Sequence, residues 1–135
     1  MKNIWDHFDK RDFSKLGKSN VLSSHAMIAS SHPIAASIGI EILKSGGNAV
    51  DAAIAMNAVL CVAEPHMTGV GGDCFVMLSV DGSTNIKALN GSGKSSSKAK
   101  ASKLRKRNIS VITPEMADAI TIPGAVAAWG LLHKD

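Results

Sequence analysis

The chain has 135 residues, 45% of them hydrophobic and 19% charged, with a formal net charge of +4. That suffices for one domain, or a piece of one, with a real core, so neither disulfides nor metals are required and low-complexity disorder is excluded for most of the chain. Aromatic residues are only 4% and tyrosine is absent, so the core must be packed from Ala, Ile, Val, Leu and Met.

Residues 1–20 are polar and charged, with no apolar run behind their lysines. They lack the form of a secretory signal, and 1–25 reads as a polar leader before a domain spanning 26–135. Residues 26–30 form a short apolar strand candidate. Ser31-His32-Pro33 is a helix start: Ser31 or His32 can cap, and Pro33 suits the first turn, where its missing N–H costs nothing. Ile34, Ile38 and Ile42 then fall at i, i+4 and i+8, one apolar stripe on a helix that Gly46-Gly47 stops. Asn48 caps a second helix, with Asp51 placed to reach back in a shorter analogue of the capping box. From 49 to 62 nearly every position is apolar or small on all faces, the pattern of a helix buried in a layer. Glu64-Pro65 ends it.

A glycine-rich turn, Met67-Thr68-Gly69-Val70-Gly71-Gly72-Asp73, leads into an apolar strand over 74–80. Asp81-Gly82 then signals a hairpin, with 85–90 as the returning strand. Residues 109–113 form a weaker strand or turn, broken by Pro114. Ile122-Pro123-Gly124 opens a helix over 125–132 whose Val126, Trp129 and Leu132 make an apolar face. The order of elements predicts an α/β (α+β) arrangement. A two-stranded hairpin under an apolar helix needs more sheet than this chain supplies. The chain is therefore expected to be the front of a larger protein, truncated at 135 inside a helix.

The basic charge is concentrated. Lys94, Lys98, Lys100, Lys103, Arg105, Lys106 and Arg107 hold seven of the 15 cationic residues with no acid among them, leaving eight basic against 11 acidic residues elsewhere. The basic loop 91–108 reads as solvated. It lacks the interleaved aromatics of a nucleic-acid surface, so no nucleic-acid partner is expected. The apolar stretch 52–63 is too short to span a bilayer and is interrupted by Asn57, so no membrane partner is expected either. Cys61 and Cys74 form no metal-type pair and read as reduced thiols, and the expected address is the cytoplasm.

The glycine turn is no dinucleotide fingerprint, because it follows a helix and opens a strand where the fingerprint does the reverse. It reads instead as a tight turn where backbones approach closely. The five histidines show no ligand spacing, so no metal and no cofactor are expected. His66 belongs to the turn after Pro65. Glu64 and Asp73 could act as a carboxylate pair or could accept hydrogen bonds from the glycine turn. No Gly-x-Ser-x-Gly elbow is present, and the residues alone expose no nucleophile.

Ala29-Ser30-Ser31-His32-Pro33, Gly46-Gly47-Asn48-Ala49-Val50-Asp51-Ala52-Ala53, Glu64-Pro65 and Gly69-Val70-Gly71-Gly72-Asp73 appear in that order. Together they resemble the N-terminal part of the large subunit of the gamma-glutamyltranspeptidase family. Ile122-Pro123-Gly124-Ala125-Val126 resembles that family's later valine-proline-glycine segment. The resemblance leaves out only the leader and the basic loop.

It implies an N-terminal-nucleophile hydrolase with an αββα sandwich, incomplete here, made as a zymogen that cleaves itself into a large and a small subunit. The partners implied are a small-molecule gamma-glutamyl or acyl-amide substrate and the missing C-terminal part of the same precursor. The threonine freed at the small subunit's N-terminus attacks the amide, and the acyl group then passes to water or an amine. Thr68, Thr84, Thr113 and Thr121 do not stand in the family's Thr-Thr-His-type context, so no catalytic residue is assigned and this chain alone is expected to be inactive. Family members that act on gamma-glutamyl compounds carry an arginine after the strand equivalent to Lys87-Ala88-Leu89-Asn90-Gly91, where it holds the substrate's α-carboxylate. The aligned residue here is Ser92, in Gly91-Ser92-Gly93-Lys94. This variant resembles the transpeptidase-like acylase branch, which weighs against glutathione. Ser92 and Lys94 are the candidate substrate-binding residues, Lys94 as a point charge and not a fork, unless Lys94 is simply the first lysine of a solvated loop. The alternative function is a non-catalytic large-subunit remnant that binds an acidic partner through the basic loop.

Overall fold

Two locally capped helices open the part of the chain that the computed structural model describes, residues 20–134. In α1 (Pro33–Lys44), Pro33 occupies the first turn and the His32 ring Nδ1 accepts from the Ile34 N–H at 3.3 Å. Ser31 does not cap; its hydroxyl donates to Glu64 Oε2 at 2.7 Å and ties the start of α1 to the end of the next helix. Gly46 takes φ +91°, and this left-handed step lets the Gly47 N–H reach the Ile42 carbonyl at 3.0 Å. In α2 (Ala49–Ala63), Asn48 Oδ1 accepts from Val50 N and Asp51 N, while Asp51 Oδ2 accepts from Asn48 N at 3.0 Å, a complete capping box.

The helices pack through small residues. Ala35 and Gly39 of α1 and Ala52 of α2 are buried, and a Cβ on Gly39 would lie 2.6 Å from Met56 Sδ. The isoleucine stripe lies beside this seam, with Ile34 and Ile38 exposed. Close approach of two backbones needs the small residues at the contact, so the alanine and glycine positions displace the isoleucines from it. Residues 26–30 do not form a strand: no neighbouring strand pairs with them, and Ile28 instead reaches the helix seam near Gly39.

β1 (Phe75–Ser79) and β2 (Ile86–Asn90) pair antiparallel, with Val76 opposite Leu89 and Met77 opposite Ala88. Asp81 and Gly82 both take positive φ, 53° and 65°, and the Ser83 N–H bonds the Val80 carbonyl at 3.0 Å, which closes the turn. Val76, Leu78 and Leu89 are half-buried on one face, while Phe75, Met77 and Ile86 are exposed on the other. A cavity of about 350 Å³ lies between the hairpin, α2 and the last helix, lined among others by Ala53, Ile54, Val76, Leu78, Trp129 and Leu132.

The basic segment is not all loop: α3 (Ala101–Lys106) forms within it, because Ala, Lys, Leu and Arg are strong helix formers whatever their charge. Arg107, just past its end, pairs at 3.1 Å with Asp118, which lies in a short 3-10 helix at Ala117–Ala119. Residues 109–113 form no strand, and a turn follows in which the Met116 N–H bonds the Thr113 carbonyl. In α4 (Ala125–Leu132) the inward face is Ala125, Ala128, Trp129 and Leu132, and Val126 is exposed. A spacing of three drifts off a helical face, whereas steps of three and four alternating stay on it.

Among the described residues the fully buried hydrophobic positions are four alanines: 35, 52, 125 and 128. α2 is therefore not covered all round as expected; Val62, for example, is 83% exposed. Two strands give too little sheet to cover a helix of this kind. No helix of the described residues is long and apolar enough to cross a membrane.

Candidate functional site

Three segments distant in sequence meet at one place: the glycine turn 69–73, residues 91–94 after β2, and residues 121–124 before α4. Each brings a different polar function. The Gly72 carbonyl accepts from both Gly124 N and Ala125 N at 3.0 Å, so it satisfies the capping and first amides at the start of α4, which has no side-chain cap. Asp73 Oδ1 accepts from Gly93 N at 2.9 Å and from the Thr121 hydroxyl at 3.1 Å. The Lys94 carbonyl accepts from Ile122 N at 2.9 Å, and Ser95 bridges to Thr121 in antiparallel fashion.

Glycine makes this approach possible. A Cβ on Gly93 would fall on the Ile122 carbonyl, and one on Gly124 would fall on the Gly91 carbonyl oxygen. One on Gly91 would lie 2.5 Å from the Ala128 Cβ and 2.7 Å from the Cys74 carbonyl oxygen. By contrast, Gly69 and Gly71 have open space where a Cβ would be. The close approach expected at the glycine turn therefore belongs to Gly91, Gly93 and Gly124, and the turn's contribution is the Gly72 carbonyl and the Asp73 carboxylate.

Ser92 and Lys94 are both exposed, and the intervening Gly93, like Gly91, is half-buried. This alternation leaves the two candidate side chains outward while the glycine backbone packs inward. Ser92 N is held by Asn90 Oδ1 at 3.0 Å, which fixes the backbone on its β2 side. Glu64 and Asp73 bind different partners, Ser31 on one side and Gly93 with Thr121 on the other. Neither carboxylate serves the glycine turn's N–H groups. Those of Met67 and Thr68 go to the Glu64 carbonyl, and that of Gly72 goes to the Gly69 carbonyl. Among the described residues no group of three His, Cys, Asp or Glu could hold a metal ion, and Cys61 and Cys74 are free.

Sequence reasoning singled out Ser92 and Lys94, weighed Asp73 only as a partner of Glu64 or an acceptor for the glycine turn, and set Thr121 aside; the structure joins Asp73 to Gly93 and Thr121. No local signal marks this pairing, because the donors to Asp73 lie 20 and 48 residues away in sequence.

Residues 35–135 match the sequence model of the gamma-glutamyltranspeptidase family. The glutathione hydrolase-like YwrD proenzyme of Bacillus subtilis (strain 168) is 38% identical over 116 residues, which is 86% of this chain and 22% of that protein. The chain thus spans about a fifth of the length of this curated relative. Among solved structures, the cephalosporin acylase from Bacillus halodurans aligns with a TM-score of 0.77 at 36% identity, over 94% of this chain and 24% of that one. The Helicobacter pylori gamma-glutamyltranspeptidase aligns with a TM-score of 0.73 at 29% identity, over 86% of this chain and 34% of that one.

Proposed function

This chain belongs to the gamma-glutamyltranspeptidase family, and from that membership we propose that it is the N-terminal portion of the large subunit of a self-processing amide hydrolase or acyltransferase. The expected fold class, α/β (α+β) with part of the N-terminal-nucleophile hydrolase sandwich, is borne out by the solved relatives. In the proposed enzyme a threonine carried by the C-terminal part attacks the carbonyl carbon of a gamma-glutamyl or related acyl amide. The threonine's own α-amine takes the hydroxyl proton and passes it to the leaving amine, and backbone N–H groups hold the oxyanion. Water or an amino compound then takes the acyl group. Residues 1–135 supply scaffold and substrate contacts but not the nucleophile, and alone they are inactive. The proposed address is the cytoplasm.

The observation that supports this reading is the meeting of segments 69–73, 91–94 and 121–124, which presents Ser92 and Lys94 outward from an anchored backbone. Lys94, assisted by the Ser92 hydroxyl, would hold the substrate's carboxylate as a point charge. A guanidinium fork at that place would favour the α-carboxylate of glutamyl compounds, so its absence favours the wider acyl-amide range of the acylases.

The test is expression of the complete reading frame. Intact-mass measurement should show conversion of one precursor into two pieces, the smaller beginning with threonine. In the processed protein, Lys94→Ala should raise KM for a carboxylate-bearing amide by about three- to tenfold, with kcat nearly constant, as expected for the loss of one exposed charge-assisted contact. A precursor that stays in one piece would reject the self-processing enzyme. An unchanged KM would remove Lys94 from the substrate site.

A further inference from the structure

We propose that Asp73 is the positioning residue that fixes the backbone carrying Ser92 and Lys94, and so sets the affinity of the site for carboxylate-bearing substrates. The inference rests on the substrate-contact role of Ser92 and Lys94 proposed above.

A single carboxylate oxygen, Asp73 Oδ1, accepts from the Gly93 N–H at 2.9 Å and from the Thr121 hydroxyl at 3.1 Å. Gly93 lies between the two candidate contact residues. Its N–H belongs to the same peptide unit as the Ser92 carbonyl, so holding it orients both neighbours. Thr121 in turn bridges to Ser95, and the adjoining Ile122 N–H bonds the Lys94 carbonyl at 2.9 Å. Segment 91–95 is thereby gripped from two sides, by Asp73 and by residues 121–122. The gripping side is itself tied down, because the neighbouring Gly72 carbonyl accepts from the N–H groups of Gly124 and Ala125 at the start of α4.

Charge sharpens the grip. An ionised carboxylate makes shorter and stronger hydrogen bonds to N–H and O–H donors than a neutral acceptor does. Among the described residues no ion pair joins Asp73 to Lys94. Asp73 therefore neither neutralises Lys94 nor replaces the substrate carboxylate; it acts through the backbone.

Three variants of the complete processed enzyme separate this role from a merely structural one: Asp73→Ala, Asp73→Asn and Thr121→Val. Asp73→Asn keeps an oxygen that can accept from both donors, whereas Asp73→Ala keeps none. Asp73→Ala should raise KM for a carboxylate-bearing amide by about tenfold, equivalent to about 1.4 kcal/mol, with kcat within about twofold of wild type. Asp73→Asn should restore KM to within about threefold, and Thr121→Val should fall between them. For an amide that lacks the carboxylate, all three should behave as wild type. Hydrogen exchange at the Gly93 amide, measured on the same proteins, should quicken in Asp73→Ala and remain slow in Asp73→Asn.

Equal losses in Asp73→Ala and Asp73→Asn would overturn the proposal, as would a Gly93 amide whose exchange ignores the alanine variant. If Gly93 exchange quickens while KM for both amides stays put, the clamp exists but does not set affinity, and the proposal falls. A failure of Ser92 and Lys94 themselves appears separately: Lys94→Ala leaves KM unchanged while the Gly93 exchange response to Asp73→Ala persists.

Discussion

Replacing Gly93 by alanine places a methyl group on the Ile122 carbonyl and 3.1 Å from the Ile122 nitrogen. Both obstacles are backbone, so no side-chain rotation relieves the overlap, and segments 91–94 and 121–124 must separate. Separation breaks the Ile122 N–H bond to the Lys94 carbonyl and at least one of the two bonds that Asp73 Oδ1 accepts, from Gly93 N–H and from the Thr121 hydroxyl. At about 1 kcal/mol net for each intramolecular hydrogen bond, the loss is about 2 kcal/mol or more. That is a large part of the ~5–15 kcal/mol by which domains are ordinarily stable. Gly71→Ala is the control: no atom lies within 4 Å of its Cβ position, and its φ is outside the left-handed region. An alanine there should be neutral, or stabilising by about 0.4–1 kcal/mol through the unfolded chain. Urea unfolding of the full-length protein and both variants measures the difference. Superposable curves for Gly93→Ala and Gly71→Ala would refute the close-approach argument.

Asn48→Ala removes the acceptor of two α2 amides and should lower stability by about 1 kcal/mol, with Asn48→Ser recovering most of it; thermal unfolding reads both. The Thr113 hydroxyl, followed by Glu115's own backbone N–H, holds the exposed Glu115 carboxyl below the usual glutamate range. A depressed folded value means that any stabilisation is present above the unfolded pKa and is lost as pH falls through the folded one. An NMR titration should show the Glu115 midpoint move up in Thr113→Val, and an unmoved midpoint would assign the shift to the backbone alone.

What could be read from the sequence was whatever is decided within a few residues. His32-Pro33, Gly46-Gly47 and the Asn48–Asp51 pair set the ends of α1 and α2 by local chemistry, and each behaves as its side chain predicts. Asp81-Gly82 likewise turns the hairpin, because both residues tolerate positive φ. The limits lay in choices made by distant partners. Asp73 finds donors 20 and 48 residues away, and nothing local distinguishes it from a turn aspartate. Residues 26–30 have strand composition but, among the described residues, no strand to pair with. Charge hid the helix-forming character of α3, and equal spacing of three misplaced Val126 on the inner face of α4. The family resemblance singled out Ser92 and Lys94, whose backbone lies on segment 91–94 where it meets segments 69–73 and 121–124. The glycines that allow that meeting became distinguishable from turn glycines only when their contacts were known.

The bridge between Ser95 and Thr121, with the Ile122 bond to Lys94 beside it, brings the two ends of residues 96–120 together. Those residues leave and rejoin the body of the protein side by side. They carry most of the cationic cluster, α3 and the Arg107–Asp118 pair. Closing a loop costs free energy only as the logarithm of its length, about 0.6 kcal/mol per doubling. Such an appendage can lengthen, shorten or change charge across descendants with little effect on the junction at its base. A peptide inserted after α3 should accordingly leave the geometry of segments 91–94 and 121–124 in place, an outcome that unchanged hydrogen exchange at the Gly93 amide would verify.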